Sequence, residues 1–329
     1  MTLTLAIPSH NDTAVLCRLL AGVRPLDCVA HVVVVDDGSD TAIDAGDLVQ
    51  ASGFDPDRIT LLRNDTARGP GAARNRALEH VTTEYMLFLD ADDQVTPDLP
   101  HLMRDLSGQS FDFCLFQHHD TRAEQDFAWG QMPWDQAHWR AAGVDLGALN
   151  AVAPAAAADL CQTANYPWNK ICRTAFLRDH GIGCSDILVH EDVELHWRSF
   201  LNARTILASD RVCVIHGVAA DGRRLTNRAG PERLDVFDPL DRIAREIAGR
   251  GDTLFTLPFY RFALGLCLWI RGNLRPEFHA RLAGRVRTFA DTHIPPDLLA
   301  ALHRDDPGRM QRIAAMIAPE QSPFSPAAP

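Results

Sequence analysis

Three carboxylates within four residues, Asp90, Asp92 and Asp93, follow the apolar run Met86-Leu87-Phe88-Leu89. A strand end there gathers negative charge that a cation or water must offset. A hard divalent ion with phosphate oxygens as its other ligands would do so; the alternative is a solvated acidic turn that caps a helix opened by Pro97. Asp36-Asp37-Gly38-Ser39 closes an earlier apolar run, Val32-Val33-Val34-Val35. It is ambiguous alone, because Asp-Gly and Ser are ordinary turn residues. Gly69-Pro70-Gly71 opens a helix with Arg74 in its first turn, and a helix N-terminus beside a guanidinium attracts a diphosphate. Neither GxGxxG after the first strand nor GxxxxGK[ST] occurs, so the glycine loops of a Rossmann dehydrogenase and of a P-loop NTPase are missing. A nucleotide–metal site of another type is the chemistry left.

These residues need a scaffold that brings strand ends together. Over the first hundred residues, β-rich runs at 3–8, 31–35, 59–63 and 85–89 alternate with helical periodicity at 13–20, 41–51 and 71–80. That rhythm predicts an α/β fold. The runs at 32–35 and 86–89 are apolar on both faces, as central strands of a parallel sheet covered by helices require. In such sheets the ligand crevice lies beyond the carboxyl ends of the strands, where Ser9-His10-Asn11-Asp12 and the two acidic clusters fall. From about Phe111 the pattern is less regular and is expected to complete the sheet and wall a cleft. From 231 to 318 it is helical and amphipathic, and the proline-rich 319–329 is expected to be an unstructured tail.

Of 329 residues, 46% are hydrophobic and 23% charged, which suits one or two globular cores and excludes disorder throughout. A formal charge of −11 argues against generic nucleic-acid binding. Lys170 is the only lysine. The eight cysteines show no CxxC pair or framework spacing and are expected to be reduced. An apolar strand begins at once without the features of an export signal, which predicts a cytoplasmic chain. The hydrophobic stretch 254–270 is short for a membrane span and contains Arg261, so a buried helix is expected. Arginines 271, 275, 281, 285 and 287 make the helical region locally basic, fitting solvated helix faces, or docking to anionic lipid at the inner face of the cell membrane or to the enzyme that makes a lipid-linked acceptor.

Six blocks occur in order: IPSHN at 7–11, VDDGSD at 35–40, GPGAARNRAL at 69–78, FLDADD at 88–93 with Pro97, WNKICRTAFLRDHGI at 168–182 and HEDVELHWR at 190–198. Together they resemble family 2 glycosyltransferases of the GT-A fold over roughly residues 1–230. The resemblance implies a GT-A domain with a mostly parallel central sheet over 1–230, its nucleotide-binding half at 1–110 and its acceptor half at 111–230, followed by a helical region at 231–318. It implies that Pro8, Ser9 and Asn11, with Asp36 or Asp37, hold the base and ribose of a nucleotide-sugar, and that Gly71 and Arg74 lie near its diphosphate. Asp90-Ala91-Asp92 is similar to the DxD motif, in which Asp92 would ligate Mn²⁺ or Mg²⁺ and Asp90 lie near ribose and sugar. Asp192 matches the general base. His216 stands where some members complete the metal shell with a histidine; a structural histidine is the other reading.

The residue types suit this chemistry. A nucleoside diphosphate leaves poorly until a cation neutralises its charge, and an acceptor hydroxyl needs a carboxylate to take its proton. In-line attack opposite the leaving group inverts the anomeric centre. Glu191-Asp192 also reads as a helix cap and first-turn acid. Trp168-Asn169-Lys170, with Glu191, could face an acceptor sugar, or could be a buried tryptophan with a snorkelling lysine. His10 departs from the aromatic usual in the first block. Only Gly222-Arg223-Arg224-Leu225-Thr226 matches the family's flexible loop after His216. The expected function is a metal-dependent inverting hexosyltransferase, taking a UDP-sugar donor to a hydroxyl of a surface polysaccharide or glycolipid. The alternatives are a catalytically silent GT-A scaffold or sugar-binding subunit, and a sugar-phosphate nucleotidyltransferase, which would want a basic glycine-rich loop after strand one.

Overall fold

A computed structural model describes residues 1–121, 132–144, 147–217, 227–251 and 253–318. The chain divides into two compact units, Met1–Leu225 and Thr226–Pro329. The predicted tail at 319–329 and the loop segment 222–226 lie outside the described residues.

The first unit opens with the predicted alternation: β1 (Leu3–Ser9), α1 (Thr13–Val23), β2 (Val29–Asp37), α2 (Ala45–Ser52), β3 (Ile59–Asn64), α3 (Pro70–His80) and β4 (Tyr85–Phe88). It continues through β5 (Gln94–Val95), α4 (Asp98–Asp105), β6 (Phe113–Asp120), α5 (Pro133–Ala141), β7 (Leu149–Ala151) and α6 (Pro154–Leu160). It ends with β8 (Lys170–Arg173), α7 (Thr174–Asp179), α8 (Asp192–Asn202) and β9 (Ile206–His216). The helix expected over 41–51 begins only at Ala45, because Asp44 caps it by accepting from the Asp47 amide at 2.9 Å.

Among the described residues one sheet of nine strands runs β3-β2-β1-β4-β8-β6-β9-β5, with β7 also on β9. The longest registers, β1–β2, β2–β3 and β6–β9, are parallel; β8 is antiparallel to both β4 and β6. Val32 to Val35 are each 0% exposed, which explains why that run is apolar on both faces. Because β8 runs backwards between β4 and β6, strands β6 and β9 point the same way as β1, β2 and β4. The carboxyl ends of all five, and the start of β8, therefore share one edge. Ser9 pairs with Asp36, Asp36 with Arg63, and Asp120 with His216 along that edge.

The second unit holds α9 (Phe237–Arg250), α10 (Thr256–Asn273), α11 (His279–His293), α12 (Pro296–Asp305) and α13 (Pro307–Ile317). Helix α10 buries Phe259, Tyr260, Ala263, Leu264, Cys267 and Ile270, as the apolar stretch at 254–270 requires. Arg261 in its middle reaches Asp305 through Nε at 2.7 Å and Nη2 at 2.5 Å. Two of the basic-region arginines have acidic partners: Arg285 lies 3.2 Å from Asp238 and Arg275 lies 3.2 Å from Glu277. Among the described residues no helix is long and apolar enough to cross a membrane. No disulfide joins the described cysteines, and all but Cys17 are buried.

Candidate active site

The loops after β1 and β2 are stitched to each other. The Asn11 amide donates to Ser39 Oγ at 2.9 Å, the Asp40 amide to Asn11 Oδ1 at 2.9 Å, and His10 Nδ1 meets the Asp37 carbonyl at 2.8 Å. Asn11 adopts φ 58°, a left-handed conformation that asparagine tolerates better than most residues. Asp36 accepts from the Ser39 amide at 2.9 Å and the Ile43 amide at 3.2 Å, and pairs with Arg63. Burial pushes its carboxyl upward, but Ser39, Ile43 and Arg63 outweigh burial and hold it below the ordinary range. Asp37 accepts from Asn64 Nδ2 at 2.6 Å and from the Gly69 amide at 2.7 Å. Both carboxylates are thus committed inside the protein and fix the loops after β2 and β3. Pro8 is buried, and Ser9 Oγ is buried with no hydrogen-bond partner among the described residues.

Arg74 joins the two halves of the unit. Its Nη2 donates to Asp90 Oδ1 at 2.6 Å and its Nη1 to Glu191 Oε1 at 2.7 Å, while its side chain is only 5% exposed. Burial opposes the charge, yet the two carboxylates outweigh burial and hold the guanidinium well above its usual range. The sequence places Arg74 beside a diphosphate; in the structure its two terminal nitrogens donate to Asp90 and Glu191. Glu191 is at the N-cap position of α8, but its carboxylate makes no cap hydrogen bond and turns to Arg74. His190 just before it takes φ 68°, a left-handed turn that re-aims the chain into α8.

Gly71 is where α3 meets this assembly. A Cβ there would lie 2.6 Å from the Ser185 carbonyl oxygen and 3.0 Å from Glu191 Cβ. Backbone cannot yield as a flexible side chain can, so Gly71→Ala is expected to destabilise by about 1–3 kcal/mol through overpacking. Chemical denaturation would read this as a lowered midpoint at constant slope; an unchanged midpoint would contradict the close contact.

The acidic turn is anchored from the other side by β9. Asp93, 2% exposed, meets His216 Nδ1 at 2.6 Å. Burial raises the Asp93 carboxyl, and Asp90 and Asp92 add to that rise; the His216 contact works against it. The imidazole stacks on Trp168 with centroids 4.8 Å apart, and Trp168 stacks on Tyr166 at 4.4 Å. Gly217 follows immediately, and a Cβ on it would lie 2.6 Å from the Asp92 carbonyl oxygen. Ala91, between Asp90 and Asp92, is 5% exposed. Among the described residues no three His, Cys, Asp or Glu side chains are grouped to hold a metal unaided.

Asp192 opens α8, and its Oδ1 accepts from Asn165 Nδ2 at 2.5 Å. Burial foremost, then the Glu191 charge, raise its carboxyl to about 8 against the pull of Arg74 and Lys170. Trp168, Asn169 and Lys170 are 1%, 3% and 0% exposed, so the triplet presents no open platform to a sugar. Nor does the lysine snorkel: its Nζ donates to the Tyr166 carbonyl at 2.8 Å and to Asn169 Oδ1 at 2.5 Å. Burial lowers this ammonium to about 8.

The structure thus brings Asp90 and Glu191 together through Arg74, with Asp192 next to Glu191 at the start of α8, and Asp93 and His216 through their contact. Pro8, Ser9, Asn11, Asp36 and Asp37 form the adjoining edge. Sequence reasoning did not single out Asn165, Tyr166 or a separate part for Asp93. Asp93 had a signal as the third acid of the turn; Asn165 lies in none of the quoted blocks.

The sequence profile of the family described as "Glycosyl transferase family 2" matches residues 4–151. The pre-mycofactocin glycosyltransferase of Mycobacterium tuberculosis is 32% identical over 200 residues, 59% of this chain and 38% of its own length. The amylovoran biosynthesis glycosyltransferase AmsB of Erwinia amylovora is 28% identical over 101 residues, 29% of this chain and 32% of its own. The chain therefore spans under two fifths of either relative. Among solved structures, S. aureus TarS 1–349 in complex with UDP-GlcNAc superposes with a TM-score of 0.72 at 19% identity, over 96% of this chain and 88% of that one. The mannosyltransferase PcManGT of Pyrobaculum calidifontis, in complex with GDP-Man and Mn²⁺, gives 0.54 at 17% identity, over 96% and 84%. By its strand-end acidic turns, its sheet and these likenesses, the chain is similar to glycosyl transferase family 2 over residues 4–151 and shares the GT-A fold of these solved glycosyltransferases.

Proposed function

We propose that this protein is a metal-dependent, inverting glycosyltransferase that moves a hexose from a UDP-sugar to a hydroxyl of a surface polysaccharide or glycolipid. The observation that carries the reading is the Arg74 bridge, which unites the acidic turn after β4 with the Asp192 end of α8 in one site. The donor class rests on TarS, whose structure holds UDP-GlcNAc, and the acceptor class on relatives such as AmsB, named for amylovoran biosynthesis. Action at the cytoplasmic side, with peripheral membrane contact through the arginine-rich helices, belongs to the same proposal.

The donor set fits Mn²⁺ or Mg²⁺. The residues that would hold the ion are Asp92, in the DxD-like turn, and His216, whose Nδ1 meets Asp93 at 2.6 Å. A hard cation bound by few protein groups and mainly by substrate phosphates and water is the usual Mg²⁺ arrangement. A carboxylate on the far ring nitrogen is how histidine ligands are commonly oriented, and Asp93 supplies it. When bound, the ion neutralises charge developing on the departing diphosphate. Pro8, Ser9, Asn11, Asp36 and Asp37 shape the base and ribose pocket. Arg74 bridges Asp90 and Glu191 and offsets one of their two negative charges. Asp192 takes the acceptor hydroxyl proton while that oxygen bonds to the anomeric carbon and the diphosphate leaves with the electron pair of its bond.

The test is UDP or GDP release from UDP-GlcNAc, UDP-glucose, UDP-galactose and GDP-mannose, with Mn²⁺ or Mg²⁺ and again with EDTA. Release from a UDP-sugar is expected, falling on the order of 10²-fold in EDTA, since Lewis-acid stabilisation is worth several kcal/mol. Equal rates in EDTA would remove the metal. Nucleotide binding without any release would favour the silent-scaffold reading.

A further inference from the structure

Asn165 stands in a loop whose backbone is gripped on both sides. The Ala164 amide donates to Asp135 Oδ1 at 2.8 Å, and the Ala164 carbonyl accepts from Asn169 Nδ2 at 3.1 Å. On the other side the Tyr166 carbonyl accepts from Lys170 Nζ at 2.8 Å, and the same ammonium donates to Asn169 Oδ1 at 2.5 Å. The three gripping side chains come from α5, the turn before β8 and β8 itself, and are 2%, 3% and 0% exposed for Asp135, Asn169 and Lys170. Burying an ammonium and a carboxylate is costly, and neither touches the surface. What the grip fixes is the single residue between Ala164 and Tyr166, and its amide points at one carboxylate: Asn165 Nδ2 donates to Asp192 Oδ1 at 2.5 Å.

We infer that Asn165 is a positioning residue for the base carboxylate, held by the Asp135–Asn169–Lys170 clamp so that Oδ1 of Asp192 is occupied and Oδ2 receives the acceptor proton. The inference rests on Asp192 being the base. A hydrogen bond donated to an ionised carboxylate favours that form and fixes its rotamer. The other charged or titratable groups facing Asp192 are Glu191 on its own helix, Arg74 from α3, Lys170 from β8 and the Cys184 thiol. Arg74 and Lys170 also favour the ionised form; Glu191 opposes it.

The experiment labels the full chain with ¹³C-carboxyl aspartate and follows the Asp192 signal against pH with UDP and Mg²⁺ present, the signal being identified by its loss in Asp192→Asn. In Asn165→Ala its midpoint is expected to rise by about one pH unit, the size of one charge-assisted hydrogen bond. In Asn165→Asp, nearly isosteric, it is expected to rise further, because two adjacent carboxylates resist joint ionisation. UDP release from UDP-GlcNAc by Asn165→Ala is expected to fall about tenfold near neutrality and to recover at high pH, with KM for the donor held within about twofold. An unmoved midpoint in both variants, or a loss of rate equal at every pH, would overturn the positioning role. Full turnover by Asp192→Asn would instead remove the base assignment while leaving the Asn165-dependent midpoint intact, so the two failures differ.

Discussion

Asp192→Asn is expected to lower sugar transfer by about 10²- to 10⁴-fold, the usual contribution of a positioned general base, while leaving the dissociation constant for the nucleotide within about twofold. The substitution is nearly isosteric and its amide oxygen still accepts from Asn165, so α8 and the Arg74 bridge stay in place. Only the capacity to take a proton is removed. The pH dependence carries the sign. In the proposed role Asp192 acts ionised, and burial with Glu191 raises its carboxyl to about 8. The rate of the unaltered protein is therefore expected to rise with pH through a limb well above the ordinary carboxylate range of about 4. That limb is expected to vanish in Asp192→Asn. Nucleotide release across pH, beside nucleotide binding by calorimetry, measures both. Unimpaired release, or a limb that persists, would transfer the base role elsewhere.

Arg74→Ala is expected to cost about 3–5 kcal/mol of stability, because removing one member of a buried ion pair leaves its partners uncompensated. Here two partners are stranded at once: Asp90 at 2.6 Å and Glu191 at 2.7 Å, with side chains 25% and 12% exposed. At about 2–4 °C per kcal/mol for a unit of this size, thermal unfolding is expected to begin on the order of 10 °C earlier. Activity should fall as well, since the turn after β4 and the start of α8 lose their shared cation. Arg74→Lys is expected to recover little, as one ammonium cannot reproduce a fork that meets two carboxylates from different directions. A thermal midpoint within a degree or two of the parent would mean the bridge holds nothing together.

The strand–helix rhythm up to β4 was legible because both-face burial writes itself into runs such as Val32 to Val35. Asp90, Asp92 and Asp192 were legible as candidates because acids at strand and helix ends sit where such sheets bind ligands. The part played by Arg74 was not, because its two carboxylate partners lie 16 and 117 residues away in the chain, and spacing along a helix shows only what is local. Trp168 and Lys170 illustrate the same limit. An aromatic beside an ammonium suits a sugar surface and a buried stack equally well, and only the pairing of β8 between β4 and β6 decides. Asn165 belongs to none of the recognised blocks; its meaning comes from three side chains that grip the backbone on either side of it.

The sole lysine of the chain is wholly enclosed. Reagents that acylate side-chain amines therefore find no target on the folded surface. Any label captured at position 170 reports the interior coming open, which makes this one residue a built-in sentinel for the integrity of the first unit.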